Sequence, residues 1–142
     1  PPVFDGPEDR NGKRNHDEIV FWLHYLDGQF GPAPDGSFVI GGGANNDPNG
    51  GEGLKPAINA LLADPRLQDP APRSEGSMAA SGDPFDTADW EDPDPGNLRV
   101  DYVLPSSDWR VLRSGVYWPD GEAGVTAAKA SSHRLVWVDL AY

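Results

Sequence analysis

The sequence predicts a mixed α+β domain, and three observations carry that expectation. Two stretches with helical spacing lie in the first half, and three runs with strand character close the chain. The segments between them are dominated by glycine, proline and aspartate. At 142 residues the chain has the size of one domain, read here as 1–142, and can bury a core. Its apolar share of 37% is low, while 17 glycines and 15 prolines call for long irregular loops.

The opening stretch, Pro1 to Arg14, is rich in proline, glycine and charge and reads as a loop. Asn15 then stands as an N-cap, with Glu18 three residues on completing a capping-box pair. Ile19, Trp22, Leu23 and Leu26 recur at helical spacing, and Gly28 supplies the stop. Ser37 to Gly41 is a short apolar run that reads as a buried strand leading into a polar turn. A second helix is expected over Leu54 to Ala63, with Pro56 in its first turn, where a missing N–H costs little.

Residues 64–96 form an acidic stretch rich in proline and glycine without sustained periodicity, and read as a solvated loop. Three strand candidates follow. Leu98, Val100, Tyr102 and Leu104 alternate within Asn97 to Leu104. Trp109 to Trp118 carries Ser114-Gly115 as a candidate bulge. Arg134 to Leu140 closes the chain. With helices preceding strands, the simplest packing is a strand layer with helices on its outer face.

Charge and composition narrow the chemistry. There are 23 acidic against 11 basic residues, a net charge of -12, which opposes direct binding to a nucleic-acid backbone. The same excess fits divalent-cation binding, or a soluble surface in a salty or extracellular setting. With no cysteine, disulfides, thiol catalysis and cysteine-ligated zinc are excluded. No apolar run approaches the roughly 20 residues that span a bilayer. The start at Pro1-Pro2-Val3, without an initiator Met or a signal peptide, reads as that of a processed product, a fragment or an incompletely known sequence. The acidic residues lack the spacing of an EF-hand loop. His16 and His24 are too far apart for the i, i+4 zinc pattern and read as structural.

Three segments hold residues able to carry chemistry. In Val39-Ile40-Gly41-Gly42-Gly43-Ala44-Asn45-Asn46-Asp47-Pro48, an apolar strand delivers polar groups into a glycine-rich turn, although Asn-Asn-Asp-Pro is also ordinary turn chemistry. In Asn97 to Ser106, Asp101 and Arg99 lie opposite the apolar set. Either an exposed Asp–Arg sheet face or a carboxylate at a phosphate or metal site accounts for them. In Ala130-Ser131-Ser132-His133-Arg134, a histidine heads the last strand.

In this order the three segments resemble the endonuclease/exonuclease/phosphatase family. Its C-terminal half carries a Gly-Asp-x-Asn motif, an Asp-Tyr-Val-type strand and a Ser-Asp-His motif near its end. The longer stretches VFDGPEDRNGKRNHDEI, DTADWEDPDPGNLRVDYVLPS and SGVYWP are similar to a bacterial branch of largely exported proteins. The resemblance implies the C-terminal portion of a four-layer αββα sandwich, mainly antiparallel with helices outside. It further implies metal-dependent phosphoester cleavage with Mg or Mn, or Ca, and a secreted or periplasmic location. Asn45, Asp101 and His133 fall on catalytic positions, and Asp101 is a candidate metal ligand.

The departures from the family pattern imply impairment. Gly43 stands where the family has its water-positioning Asp. Ser132 abuts His133 directly, so the Asp before the histidine is absent, and the imidazole is expected to lose its orienting partner. The family's N-terminal half, with its metal-binding Glu, would precede Pro1. The expected partner is therefore that half, on another segment or chain, or a second copy in a homo-oligomer. A phosphoester substrate and a non-catalytic binding or assembly module are the two functional expectations.

Overall fold

A computed structural model describes residues 6–142, and it is a mixed α+β arrangement with small antiparallel sheets. The first helix, α1, spans Arg10–Leu26 and so starts five residues before the expected cap at Asn15. Asp9 turns the chain into it at φ 50, its N–H donating to Gly6 O at 2.9 Å. Asn15 instead lies inside the helix, buried, and Glu18 pairs with Arg14 one turn back. The helix stops as expected: Asp27 N–H closes the last turn on Leu23 O, and Gly28 takes φ 74. The rest of the expected opening loop, residues 1–5, lies outside the described residues.

Strand β1 (Val39–Gly43) extends two residues past the expected end, through all three glycines. Helix α2 (Lys55–Leu62) carries Pro56 in its first turn as anticipated, and buries Ala57, Ile58 and Leu61. The segment 64–96 is not a solvated loop throughout. It forms helix α3 (Glu75–Ser81), capped by Ser74 Oγ accepting from Ser77 N–H and ended by Gly82 at φ 85. It then forms strand β2 (Ala88–Asp89), paired with β3 (Asn97–Leu98). These elements are too short to leave a period in the sequence.

The alternating run from Asn97 is two strands, because the chain leaves one partner for another between Leu98 and Asp101. Strand β4 (Asp101–Pro105) pairs antiparallel with β1, setting Gly43 opposite Asp101 and Ile40 opposite Leu104. Strand β5 (Arg110–Tyr117) pairs with β6 (Leu135–Ala141), and its register slips between Val111 and Arg113 rather than at Ser114-Gly115. At Gly115 a Cβ would come 2.8 Å from the ring of its cross-strand neighbour Trp137, so glycine leaves room for that indole. Helix α4 (Gly121–Ala130), which sequence spacing did not suggest, connects the two strands and has no buried residue.

The main core forms where α1 and α2 cover one face of β1 and β4. Ile19, Leu26, Ala57, Ile58, Leu61, Leu67, Tyr102 and Leu104 pack there. Full burial of each such aliphatic side chain contributes roughly 1.5–3 kcal/mol. A smaller cluster of Ala88, Leu98 and Val100, with Trp90 against it, joins β2 and β3 to the start of β4.

Candidate functional site

The site grows from the first residue of β4. Strand alternation turns Tyr102 and Leu104 into the core and leaves Asp101 on the opposite face. Asp101 Oδ2 accepts from Thr87 Oγ1 at 2.9 Å and lies 2.8 Å from His133 Nδ1. An ionised carboxylate only accepts, so Nδ1 donates in this pair; in a neutral imidazole Nε2 is then the acceptor. The Thr87 hydroxyl in turn accepts from the backbone N–H groups of Val100 and Asp101, both at 3.0 Å. It is almost fully buried, so its one proton is committed to Asp101. His133 is more open, with its side chain 38% exposed against 19% for Asp101.

This corrects the expectation for His133. The imidazole keeps an orienting partner despite Ser132, because that partner is Asp101, 32 positions earlier. The backbone around His133 is equally fixed. Ala88 bridges His133, Asp89 N–H donates to Ser132 O at 2.9 Å, and Arg134 N–H donates to Thr87 O at 2.8 Å. Arg134 Nη2 also reaches Asp89 Oδ2 at 2.7 Å, and its guanidinium lies over the Trp118 ring. An insertion between Ser132 and His133 would slip this register. Substitution at Ser132 would leave it intact.

Asp101 and Arg99 do not share an exposed face. Arg99 turns inward and forms two hydrogen bonds to Asp69, at 2.9 and 2.5 Å. Its backbone N–H is held by Asp47 Oδ2 at 2.7 Å, which is why the strand breaks here. Asp47 Oδ1 accepts from Asn49 and Gly50 N–H, so this residue of the first motif is a buried structural acceptor. Asn46 is structural too. Its amide donates to Asn15 Oδ1 and to Leu54 O, while Asn15 donates to Ala44 O, which ties α1 to the end of β1.

Asn45 sits beyond β1 at φ 51, a conformation asparagine tolerates better than most residues. It is exposed, and its N–H donates to Val100 O. Its side chain makes no hydrogen bond among the described residues and lines a cavity of about 200 Å³ with Gly42, Ile19 and Trp22. That cavity exists because Gly42 leaves a gap on the helix-facing side of β1: a Cβ built there would meet nothing within 4 Å. The structure thus joins Asp101 to His133 and leaves Asn45 near the strand end, outside their hydrogen-bonded set.

Gly43 faces Asp101 directly. A Cβ added at Gly43 would come 3.2 Å from Asp101 Oδ1, so any side chain here would project beside that carboxylate. As the chain stands, one oxygen of Asp101 is taken by His133 and Thr87, and the facing position offers no ligand. Among the described residues no group of three His, Asp or Glu side chains is placed to hold a metal ion. The described Asp and His side chains therefore do not by themselves make a divalent-cation site.

Sequence reasoning found Asp101 and His133 but missed Thr87, which lies in the segment read as loop, beside a two-residue strand that leaves no alternation to detect. No curated protein and no solved structure matches the chain. Residues 2–133, however, match the Endonuclease/Exonuclease/phosphatase family over most of the chain, with Asn45, Asp101 and His133 inside the matched range. The chain belongs to the Endonuclease/Exonuclease/phosphatase family.

Proposed function

We propose that this chain is the C-terminal portion of a phosphoesterase domain, impaired in catalysis as it stands. One observation carries the reading. The Asp101–His133 pair is assembled with its Thr87 support, while the position facing it across the strands is Gly43. An oriented imidazole with a free Nε2 can exchange a proton with a phosphoester or its leaving group. The carboxylate that would position an attacking water is missing, as is the one that precedes the histidine in the family. Metal-dependent turnover would need ligands from beyond this chain.

The partner that fits is the family's N-terminal half, completing a four-layer sandwich in an exported protein. Support comes from the β5–β6 ribbon, where Tyr117 and Leu135 stand opposite each other, 54% and 66% exposed. Trp137, on the same face as Leu135, is also exposed. Apolar side chains so placed need a cover. The same face favours the second reading, a non-catalytic assembly module that retains the fold.

Cleavage of plasmid DNA or a bis-phosphodiester with Mg²⁺ or Mn²⁺ tests the first reading. The unmodified chain should stay near background. Gly43→Asp with Ser132→Asp should add little alone but yield measurable turnover once the N-terminal half of a relative is supplied. Robust turnover by the unmodified chain would sink the impairment. A completed, repaired pair that binds metal yet stays inert would leave only the assembly reading.

A further inference from the structure

The geometry assigns Trp90 a positioning role toward His133. The indole and imidazole centroids are 5.3 Å apart with their planes at 88°, an edge-on contact. His133 is open enough that its hydrogen bond to Asp101 alone leaves the ring free to swing outward when that bond breaks. Trp90 supplies a wall against this motion. The wall is rigid for two reasons. Trp90 packs against Ala88, Leu98 and Val100, and β2, which immediately precedes it, is tied to the histidine's own backbone. Asp89 N–H to Ser132 O, Arg134 N–H to Thr87 O and the Arg134–Asp89 ion pair make that tie. Any shift of β2 would therefore carry indole and imidazole together. Trp90 thereby holds the ring with Nδ1 toward Asp101 and Nε2 outward, and so acts on proton transfer through His133.

This role rests on the reading of the Asp101–His133 pair as the working part of the site, but its test requires no turnover. In the full chain labelled with ¹⁵N-histidine, in mildly alkaline solution, His133 should be the Nδ1–H tautomer with a slowly exchanging Nδ1 proton. Trp90→Leu should lose the slow exchange and show mixed tautomers, while Trp90→Phe, which keeps an aromatic edge, should retain both. Protection of the Val100 and Asp101 amides by Thr87 certifies that each variant is folded. A folded Trp90→Leu with the wild-type tautomer and exchange rate overturns the role. Should Trp90→Leu not fold, the wild-type spectrum decides: one imidazole rotamer with cross-relaxation to the indole supports the wall, and rotamer averaging refutes it. A repaired and completed pair that stays inert while His133 keeps the expected tautomer counts against the phosphoesterase reading alone.

Discussion

Arg99 and Asp69 meet in the interior, and their pairing shapes how stability responds to acid. Burial alone would raise the Asp69 carboxyl, but the hydrogen bonds and positive charge of Arg99 outweigh it and hold it below the usual carboxylate range. A carboxyl depressed by folding contributes stability that is complete above its unfolded value and is lost as pH falls through its folded one. Asp69→Ala should cost about 3–5 kcal/mol at neutral pH, since Arg99 would be left buried without its partner. Denaturant titration across the acid range checks both the cost and the loss of its pH dependence. Asp86 behaves in the opposite sense. Burial raises its carboxyl, with Asp83 and Asp47 adding to the effect and the Ser81 hydroxyl opposing it. Its contribution is present below the unfolded value and fades as pH rises through the folded one. Asp86→Asn should therefore raise the thermal midpoint at neutral pH and leave it unchanged in acid, and a lowered neutral midpoint would contradict this account. At Gly43 the expectation is electrostatic. A carboxylate beside Asp101 should destabilise the chain by roughly 1–3 kcal/mol at low ionic strength, and salt should relieve part of that cost. Thermal scans of Gly43→Asp at several salt concentrations measure it, and a variant no less stable than the parent would place the new side chain elsewhere.

At the scale of elements, long periodic segments were legible and short tertiary ones were not. Ile19, Leu23 and Leu26 announced α1, and Pro56 announced the start of α2, because a buried helical face must recur in the sequence. Asn15 misled for a physical reason: asparagine caps helices, but here its amide serves a network with Asn46 and Ala44. The two-residue strands β2 and β3 exist because Thr87, Ser132 and Arg134 hold them from outside, so their own residues carry no pattern. Asp101 and His133 could be named from motifs, whereas their contact and its Thr87 support needed the fold. Tyr102 shows the same dependence. Its hydroxyl sits 2.9 Å from both Asn46 O and Arg99 O, and burial pushes its phenol up. Tyr102→Phe should cost about 1–2 kcal/mol by leaving these carbonyls short of a donor. Equilibrium unfolding in urea measures that cost, and no measurable loss would show that the carbonyls find water instead.

For the whole molecule, the exposed ribbon face and the net charge of -12 act against each other. The apolar side chains favour association, and self-repulsion between like-charged chains opposes it. Sedimentation should show association that strengthens with salt and weakens in Tyr117→Ser with Leu135→Ser, whereas a compact, stable monomer in dilute solution would remove the need for a cover. The long reach of the site has a kinetic side as well. Thr87 joins Asp101 across 14 positions and His133 joins it across 32, so several loops must close before the pair can exist. Helix α1 can form from local contacts, but the pair cannot, which puts it among the last features to appear during refolding. The His133 imidazole is then a clock for the final step. Its Nδ1 proton should become protected only after the amides of α1, and reversal of that order in pulse-labelled refolding would mean that the β2 clamp closes before the helices settle.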